Sequence, residues 1–515
     1  MTRFSLSVLL AALLGLAAVL PSHAQVAPPA PTSLPTPLTL AQAVAIALAH
    51  QPQQYSARAQ TSQALGQRQQ ARALYFPVFT PSYQYQNNKR NLYGLNTSTG
   101  TTTTTTTGGG TTGPTAGPMP TPGGTGSGGT TTGGTTTSPT SPVSGTGTTT
   151  SGTTVTTGGT ANEVSIVRGG GLSLSFTQTL IDNGAREATN AQARRAVDAA
   201  TLNEADTRQA TILAVTQDFY QLLLSQDLVL VAQAQVARYQ QTAAVTQAQI
   251  QAGTVAGKEL YQAQADLANA QVTLLQDQNQ VATASAALKN VLGVESDAPV
   301  QPAGLAAPGQ LPPLPANVAA ASLDASLQTA YADRPDLRRQ AALVQSSLSA
   351  LRAAQKRAGV SVSADYVLDY QATNDVGTRG TNSQLLITGS YPLFDAGSAR
   401  GAIRIAQGQL DVSRNALLTT RQQVRQDVEQ ALATRNESLA ATRLAQAAVT
   451  AAQVNYDAAI ESRRAGVGTL LDITTAQATL TQAQNQYVSA VYNFYIADAQ
   501  LLRAIGRNDV GVAVP

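Results

Sequence analysis

The sequence of 515 residues contains no cysteine and no tryptophan, and it has only two histidines, His23 and His50. Without cysteine the chain has no disulfide framework, no thiol nucleophile and no N-terminal site for a lipid anchor. Two histidines leave little from which to build a zinc site or a catalytic base. Charged residues make up 12%, about half the usual share of a soluble domain. We therefore expect a structural protein rather than an enzyme, with no catalytic residues, no metal site and no cofactor.

A net charge of +3 gives no argument for a nucleic-acid partner. Residues 1–24 have the pattern of a cleaved secretory signal, in which Arg3 precedes the apolar run Val8–Leu20 and small residues flank His23. The run is too short to span a bilayer as a mature helix, and an N-terminal membrane anchor is the alternative interpretation. No later apolar stretch of the sequence approaches the roughly 20 residues of a transmembrane helix. We predict an exported protein whose membrane spans would have to be strands.

Comparison of the sequence with itself indicates two repeats. At an offset of 213 residues, Leu180–Gly184 matches Leu393–Gly397 and the match continues without a gap. Other matches at this offset are Gly253 with Gly466, Ala263-Gln264-Ala265 with Ala476-Gln477-Ala478, and Gly293 with Gly506. Further upstream the offset is 283, and Leu40, Ala47, Pro52 and Tyr83 match Leu323, Ala330, Pro335 and Tyr366. The change in offset indicates an insertion in the first repeat.

The insertion is visible as residues 97–160, which are almost wholly Thr, Gly, Ser and Pro without one charge. Such a segment cannot bury a core, so we predict a disordered loop. We place the first repeat at 38–295 and the second at 322–508, joined by a proline-rich linker at 296–321. A proline-rich segment (25–37) follows the signal, and residues 509–515 form a tail.

Four segments alternate between apolar and polar residues and predict two hairpins of strands. The alternation runs through Phe79, Tyr83 and Tyr85; through Leu172, Leu174 and Phe176; from Val360 to Tyr370; and through Leu385, Ile387, Tyr391 and Leu393. Each run has about 10 to 13 residues, enough for a tilted membrane strand. A soluble sheet would show the same alternation, but its four strands would need a packing partner. We therefore favour membrane strands.

Long helices are predicted for most of the remainder. Residues 185–252 contain neither glycine nor proline, and one helix of this length would measure about 100 Å. Residues 258–292 predict a second helix, and the second repeat has helices of both lengths. A short helix near 53–75 and the helix 258–292, placed end to end, have nearly the length of the long helix. We call one long helix, or two shorter helices in succession, a column. Each repeat can thus supply two full-length columns, and we expect the columns to pack as in a coiled coil.

Membrane strands must close into a barrel, because an open edge in lipid leaves backbone groups without partners. Small membrane barrels have at least eight strands, so four strands from one chain are too few. Either the chain oligomerises or its strands do not cross a membrane. Three copies would provide twelve strands and twelve helical columns.

Four groups of residues form a recognisable series. They are Leu38-Thr39-Leu40 with Ala43, Ala47 and Pro52; Asp333-Arg334-Pro335; Leu393-Phe394-Asp395-Ala396-Gly397; and the segment from Arg464 to Asp472. In this order and repeated twice, these motifs resemble the TolC family of outer membrane efflux proteins, whose pattern R-x-G-x-x-S/T-x-x-D the last segment fits. The resemblance extends from about Leu38 to Gly506, apart from the Thr/Gly-rich loop. It implies a mostly α-helical homotrimer, with a twelve-stranded outer membrane β-barrel in outer membrane lipid, continued by an α-helical barrel in the periplasm. It also implies two partners, a periplasmic adaptor (membrane fusion) protein and an inner-membrane transporter.

The resemblance places the turns between long helices at the periplasmic tip, where the tunnel narrows to a gate and meets the adaptor. It implies that Asp472, and Glu259 at the equivalent first-repeat position, face the gate. The residues expected to dock the adaptor are Gly253, Thr254, Val255, Arg464, Gly466, Val467 and Gly468. The first repeat departs from the pattern at Gln251, Ala256 and Glu259, and Thr475 stands where some members carry a second acidic residue. Alternatively, Asp472 and Glu259 only complement the helix dipole, and the glycines only allow the chain to reverse.

In the strands, Asp365 and Asp369 lie on the polar face and would line the pore, although solvated charges near a loop explain them equally. Tyr83, Tyr85, Tyr366 and Tyr370 suit an aromatic girdle at the membrane interface, or a buried core. The function expected is a passive trimeric exit duct for efflux or type I secretion. The alternative is a structural or adhesive coiled-coil surface protein, against which the hairpins and the repeat argue. The sequence does not specify the cargo.

Overall fold

The computed structural model describes residues 35–91, 164–295, 299–305, 310–313, 315, 321–373 and 379–508. The predicted signal, most of the proline-rich segment that follows it, the Thr/Gly-rich loop and the tail lie outside these ranges. The described chain forms two compact units, one built on the strands and one built on the helices.

Two sets of six elements follow one another in the same order. The first set is α1 (Leu40–His50), α2 (Pro52–Ala73), β1 (Val78–Asn91), β2 (Val164–Ile181), α3 (Ala185–Gln251) and α4 (Lys258–Leu292). The second set is α5 (Leu323–Asp333), α6 (Pro335–Arg357), β3 (Ser361–Thr373), β4 (Arg379–Ser390), α7 (Ser398–Arg464) and α8 (Leu470–Ala504). The prediction of a mostly helical chain with two strand pairs and long helices is confirmed, and α3 and α7 both have 67 residues.

The helix starts are set by capping residues, first-turn prolines and Asp-x-Gly turns. Thr39 caps α1 in a capping box with Gln42, and a proline stands in the first turn of α2 and of α6, where its missing N–H has no helical partner to lose. Each long helix follows an Asp-x-Gly turn: Asp182 accepts from the N–H of Arg186 at 2.6 Å, and Asp395 from that of Ala399 at 2.7 Å. The backbone N–H groups of Ala399 and Gly397 hold the pKa of Asp395 below its ordinary value.

In the helical unit, α3 lies between two pairs of shorter helices. The helix α3 packs against α2 and α4 of its own repeat and against α6 and α8 of the second repeat. The helix α7 packs against α6 and α8. Side chains of α2 meet the first part of α3, where Gln54 donates to Thr211 at 2.8 Å, whereas Ala270 of α4 packs near Tyr239 in the second part. The arrangement agrees with two columns from each repeat.

Two hydrophobic clusters hold the columns where the short helices α1 and α5 join them. The larger cluster brings together Leu38, α1, α3, α4 and α8, with Val215, Leu222 and Leu288 fully buried. The second, around Ala330, Val424 and Val428, joins α5 and α6 to α7. Val215 and Val428 are equivalent in the two repeats, and so are Ala47 and Ala330, so the same packing is used twice.

The strands form one sheet in the order β1-β2-β3-β4, and β1 pairs antiparallel with β2. Tyr83 lies opposite Leu172 and Phe79 opposite Phe176, whose rings meet edge to face with centroids 4.8 Å apart. Pro81 has no N–H to donate to a ladder, and within one chain β1 lies at the edge of the sheet. The prediction that Tyr391 and Leu393 belong to the fourth strand is wrong: β4 ends at Ser390. Pro392 explains this end, because it cannot continue a backbone ladder.

Candidate functional site

The candidate site consists of the two turns between long helices, turn 1 (252–257) and turn 2 (465–469), with the helix ends beside them. Both turns reverse the chain in the same way. Gly253 and Gly466 adopt positive φ of 75° and 78°, and the next residue donates its N–H back into the helix, from Thr254 to Gln249 O and from Val467 to Ser462 O. This is the Schellman arrangement, which satisfies the last carbonyl groups of a helix. The predicted tip glycines are therefore structurally required.

Turn 2 is further constrained at Gly468. A Cβ atom at this position would lie 2.9 Å from the backbone nitrogen of Arg463 and 3.0 Å from the carbonyl carbon of Ser462. Since real Cβ atoms are not found so close to backbone atoms, a larger residue would force the turn open. The equivalent position in turn 1 is Val255, so the two turns are not interchangeable.

Asp472 forms the N-terminal cap of α8 together with Thr469. Its carboxylate accepts from the backbone N–H of Thr469 at 2.7 Å and from the Thr469 hydroxyl at 2.8 Å, and its own N–H donates to that hydroxyl at 3.2 Å. These hydrogen bonds, the backbone one first, hold the pKa of Asp472 below its ordinary value of 3.8. Asp472 is thus an ionised, exposed capping residue, as one of the two sequence-based interpretations expected. Its placement at a gate stays a prediction.

Glu259, in the first turn of α4, forms a cross-hairpin contact. Arg463, near the end of α7, places its Nη2 atom 2.9 Å from Glu259 Oε2 and 3.0 Å from Gln249 Oε1. The two charged side chains are only 15% and 25% exposed, so water screens the pair less than a surface pair. The contact joins the hairpin α3–α4 to the hairpin α7–α8 at their turns.

Arg464, the residue that the sequence pattern singled out, has a local role instead. It pairs with Glu461 one turn earlier on the same helix, and the two side chains are 69% and 67% exposed. Val467 in turn 2 and Leu471 in the first turn of α8 are exposed apolar residues. An exposed cation next to exposed apolar side chains is a surface that a protein partner can cover.

Arg463 is a functional candidate that the sequence does not predict, because its equivalent in the first repeat is Ile250 and the repeat therefore gives no signal. In the sequence Arg334 stands out only as part of a motif. The Arg334 side chain is buried and bridges Asp336 at 2.7 Å and Asp427 at 2.9 Å. Hydrogen bonds and charge from these carboxylates outweigh burial and raise the pKa of Arg334, while Arg334 likewise outweighs burial and lowers the pKa of Asp336.

The predicted strand residues lie in the sheet. Tyr83, Tyr85, Tyr366 and Tyr370 are exposed, whereas Asp365 and Asp369 are half-buried. The Tyr83 ring lies across Gly170 of the neighbouring strand, since its hydroxyl would be 2.8 Å from a Cβ atom there. An aromatic ring over a strand glycine covers backbone that would otherwise face solvent or lipid. None of the four tyrosines is part of a buried core.

Within the described residues, no cluster of three or more His, Asp and Glu side chains is arranged to hold a metal ion. Among the same residues, no helix is both long and apolar enough to cross a bilayer.

Comparison with known proteins identifies similar sequences and folds. The family model described as "outer membrane efflux protein" matches residues 139–294 and 326–507. The outer membrane efflux protein BepC of Brucella suis biovar 1 (strain 1330) is 29% identical over 140 residues, which are 27% of this chain and 30% of that protein. This chain therefore matches less than a third of the length of that curated relative.

Two solved structures have the same fold over nearly the whole chain. CusC, described for its transmembrane channel formation, superposes with a TM-score of 0.69 at 16% identity and covers 91% of this chain and 92% of its own. The CmeC outer membrane channel of Campylobacter jejuni gives a TM-score of 0.68 at 15% identity, over 91% of this chain and 86% of its own.

Proposed function

Because this chain belongs to the outer membrane efflux protein family, we propose that it is a passive exit duct of the cell outer membrane with a long periplasmic extension. In this proposal three copies form the duct, which serves a tripartite efflux or type I secretion machine. The duct has no chemistry of its own, and an inner-membrane transporter and a periplasmic adaptor supply the energy and the connection.

The observation that carries the proposal is that, among the described residues, both units have edges without a partner. The sheet has four strands, with β1 and β4 at its ends. In lipid such edges must pair, and β4 of one copy with β1 of the next is a pairing that can close. In the helical unit the outermost columns are α2 with α4 and α7. These carry exposed apolar side chains, among them Val272 and Leu275 on α4 and Val412, Leu418 and Leu444 on α7. A head-to-tail ring of copies covers all of these edges.

The strand side chains support the membrane part of the proposal. Tyr83, Tyr85, Tyr366 and Tyr370 form the aromatic girdle at the membrane interface, where amphipathic rings are favoured. Asp365 and Asp369, on the opposite face, line the pore. A barrel in lipid has this division, with an apolar exterior and a polar interior.

Turns 1 and 2 supply the gate and the docking surface. Three Asp472 and three Glu259 carboxylates around an axis form a negatively charged constriction, which favours cations. The adaptor docks on Gly253, Thr254 and Val255 of turn 1 and on Arg464, Gly466, Val467 and Gly468 of turn 2.

Fractionation of cells that express the full chain tests the proposal. We expect it in the outer membrane as a trimer that resists detergent until it is heated. A soluble monomer, or a surface fibre without such trimers, would favour the alternative of a structural or adhesive coiled-coil protein. Cross-linking in cells, followed by identification of the linked adaptor and transporter, would distinguish efflux from secretion.

A further inference from the structure

Four helix ends connect to the strands: the last turns of α2 and α6 and the first turns of α3 and α7. Contacts within the helical unit bring these ends together. Arg186 of α3 donates to the C-cap carbonyl oxygen of α2 at 3.4 Å, and Asn183, just before α3, donates to the carbonyl oxygen of Lys356 at 3.3 Å. The hydroxyl oxygens of Ser361 and Ser390, beyond α6 and before α7, are 2.7 Å apart. We call this part of the helical unit its strand-side end.

The strand-side end is strongly basic. It comprises the two helical turns nearest each strand together with the connecting residues, which are 67–77, 182–191, 351–360 and 391–404. These ranges contain eight cationic and three acidic residues, a net charge of +5, whereas the whole chain carries +3. At the other end of the long helices, turns 1 and 2 with the helical residues beside them (245–264 and 458–476) contain three residues of each sign. The positive charge is therefore concentrated at one end of these helices.

Most of the cations at the strand-side end have no anionic partner. Six of the eight are exposed and, in the part of the chain that the structure describes, form no ion pair. They are Arg72, Arg352, Lys356, Arg357, Arg400 and Arg404, and we call them the basic collar. Two of the three acids nearby are already engaged, since Asp182 pairs with Arg186 at 3.1 Å and Asp395 accepts from backbone N–H groups at the start of α7. The described chain therefore leaves the basic collar without a neutralising partner.

Exposed apolar and aromatic side chains lie between the cations and the strands in sequence. They are Leu74, Tyr75 and Phe76 before β1, Ile181 at the end of β2, Val360 before β3, and Tyr391, Leu393 and Phe394 after β4. Leu393 and Phe394 are 92% and 90% exposed. Exposed apolar patches of this kind mark surfaces that another molecule covers. Each of the four connections thus has the same order of strand, apolar residues and cations.

This order decides what covers the surface. A second copy of the chain brings the same net charge of +5 at its own strand-side end, so copies do not neutralise one another. An acidic protein would neutralise the cations, but it would not explain why the apolar residues always lie on the strand side of them. A phospholipid leaflet offers both parts in this order, because its apolar chains are followed by its headgroups.

We propose that the basic collar binds anionic phospholipid headgroups of the leaflet that faces the periplasm, while Leu393 and Phe394 enter the apolar edge of that leaflet. The proposal rests on the membrane strands of the proposed function. Every collar residue lies within two helical turns of a strand connection, about 10 Å along the helix. This distance is about one Debye length at physiological ionic strength, so the headgroups attract the whole collar and the attraction weakens as salt is raised.

Fluorescence quenching tests which lipid lies against Phe394. Because the natural sequence has no tryptophan, Phe394→Trp gives the full-length chain a single fluorophore. Trimers are placed in two sets of vesicles with the same mixture of phosphatidylglycerol and phosphatidylcholine. In one set only the anionic phosphatidylglycerol carries bromine close to the headgroup, and in the other set an equal amount of phosphatidylcholine carries it. We expect several-fold stronger quenching by the brominated anionic lipid, because the basic collar concentrates that lipid beside it.

Removal of charge from the collar provides the second arm of the experiment. Arg400→Gln with Arg404→Gln, combined with Phe394→Trp, should reduce the preference for the anionic lipid several-fold, since each cation near the membrane surface adds to the attraction. The matched control, Arg425→Gln with Arg443→Gln, removes two exposed cations from the same helix at least about 30 Å further along. The control should keep the wild-type preference.

Each outcome has a defined meaning. Equal quenching by the two lipids, or equal loss of preference in the two double variants, overturns the proposal and leaves the exit duct intact. Quenching by neither lipid also overturns it and leaves an acidic protein as the occupant of the collar. A preference that inorganic phosphate in solution abolishes indicates a site for free phosphate instead of lipid, which again overturns the proposal. Absence of oligomers from the outer membrane contradicts the proposed function itself.

Discussion

Arg463 of α7 and Glu259 of α4 connect the two hairpin turns through an ion pair of 2.9 Å between Nη2 and Oε2. The pair joins elements that lie 204 residues apart in sequence, and Gln249 accepts a further hydrogen bond from the same nitrogen. Because the two side chains are mostly buried, the contact is of the kind that contributes about 1–2 kcal/mol. It fixes the relative position of the hairpin turns within one chain.

The first prediction concerns this contact. Arg463→Ala removes both hydrogen bonds and leaves Glu259 without a cation, so the turns should separate more often. If the turns form the gate, trimers in planar bilayers should be open about tenfold more often, the factor that corresponds to about 1.4 kcal/mol.

Arg464→Ala provides the matched control, since the adjacent arginine pairs locally with Glu461 on the surface. Exposed pairs of this kind contribute between zero and about 1 kcal/mol. Channel opening should therefore stay at the wild-type level. Equal behaviour of the two variants would contradict a role of the Arg463–Glu259 pair in holding the turns.

The second prediction separates the two roles of Asp472, the cap and the charge. Thr469→Ala removes the hydroxyl of the capping box but leaves the carboxylate, whereas Asp472→Asn removes the charge but leaves an oxygen that can cap. If Asp472 lines a gate, Asp472→Asn should raise cation conductance, because a ring of carboxylates retains cations at the constriction. Thr469→Ala should leave conductance unchanged and destabilise the start of α8 by about 1 kcal/mol.

The pH dependence of the cap has a definite sign. Since the folded pKa of Asp472 lies below its ordinary value of 3.8, the cap contributes its stabilisation above that value. The contribution disappears as the pH falls through the lowered pKa. Hydrogen-exchange protection factors of the first turn of α8, in which the pH dependence of intrinsic exchange is divided out, should fall between pH 7 and pH 2, and protection that stays constant would indicate that the cap is not formed.

The sequence was sufficient to predict the long helices and their turns. The 67 residues of α3 without glycine or proline leave few alternatives to a helix, the repeat extends the prediction to α7, and each turn carries a glycine. The exact end of the fourth strand could also have been read from Pro392. The cross-hairpin contact could not be predicted. Arg463 is one of two adjacent arginines, and only the packing of α7 beside α3 and α4 decides which of them turns inward.

The partners of Arg334 could not be predicted from the sequence either. Its neighbour Pro335 marks a helix start in the sequence, but the second carboxylate, Asp427, is 93 residues away on α7. A buried arginine is recognised only when both of its partners are placed. The role of a motif residue can therefore be structural even where the resemblance to a family draws attention to it.

The third prediction is that Arg334→Ala strongly destabilises the helical unit. The substitution leaves the half-buried Asp336 and Asp427 without a cation and removes the bond to the Ala504 carbonyl. Loss of one partner from a buried ionic cluster typically costs about 3–5 kcal/mol, and partial exposure of the two carboxylates places the expected value near the lower limit. Thermal unfolding in detergent, followed by circular dichroism, measures the effect.

Arg507→Ala is the control for this experiment, because Arg507 pairs with Asp333 at 2.9 Å in a largely exposed position close to Arg334. We expect the free energy of unfolding to fall by less than about 1 kcal/mol.

The pH dependence of stability should also differ between the wild type and Arg334→Ala. In the wild type the stabilisation by Asp336 is present above its ordinary pKa of 3.8 and is lost as the pH falls through the lowered pKa. The Arg334→Ala variant should lack this loss.

The fourth prediction tests whether the strand tyrosines face lipid. Because the natural sequence has no tryptophan, Tyr83→Trp or Tyr370→Trp introduces a single fluorophore at an exposed position of the sheet. In vesicles of brominated lipid its emission should be strongly quenched, and most strongly by bromine close to the headgroups, since aromatic residues of membrane proteins concentrate at the interface.

Tyr261→Trp on α4 is the matched control, as Tyr261 is at least as exposed as Tyr83 and Tyr370 but belongs to the helical unit. Its emission should be unaffected by bromine and accessible to a soluble quencher. If the sheet tryptophans behave like the control, the strands do not contact lipid, and the alternation of residues in β1 and β3 must serve a water-exposed sheet. If they are quenched while the control is not, the membrane boundary lies on the sheet, and the depth of quenching at positions 83 and 370 shows on which side of it each ring lies.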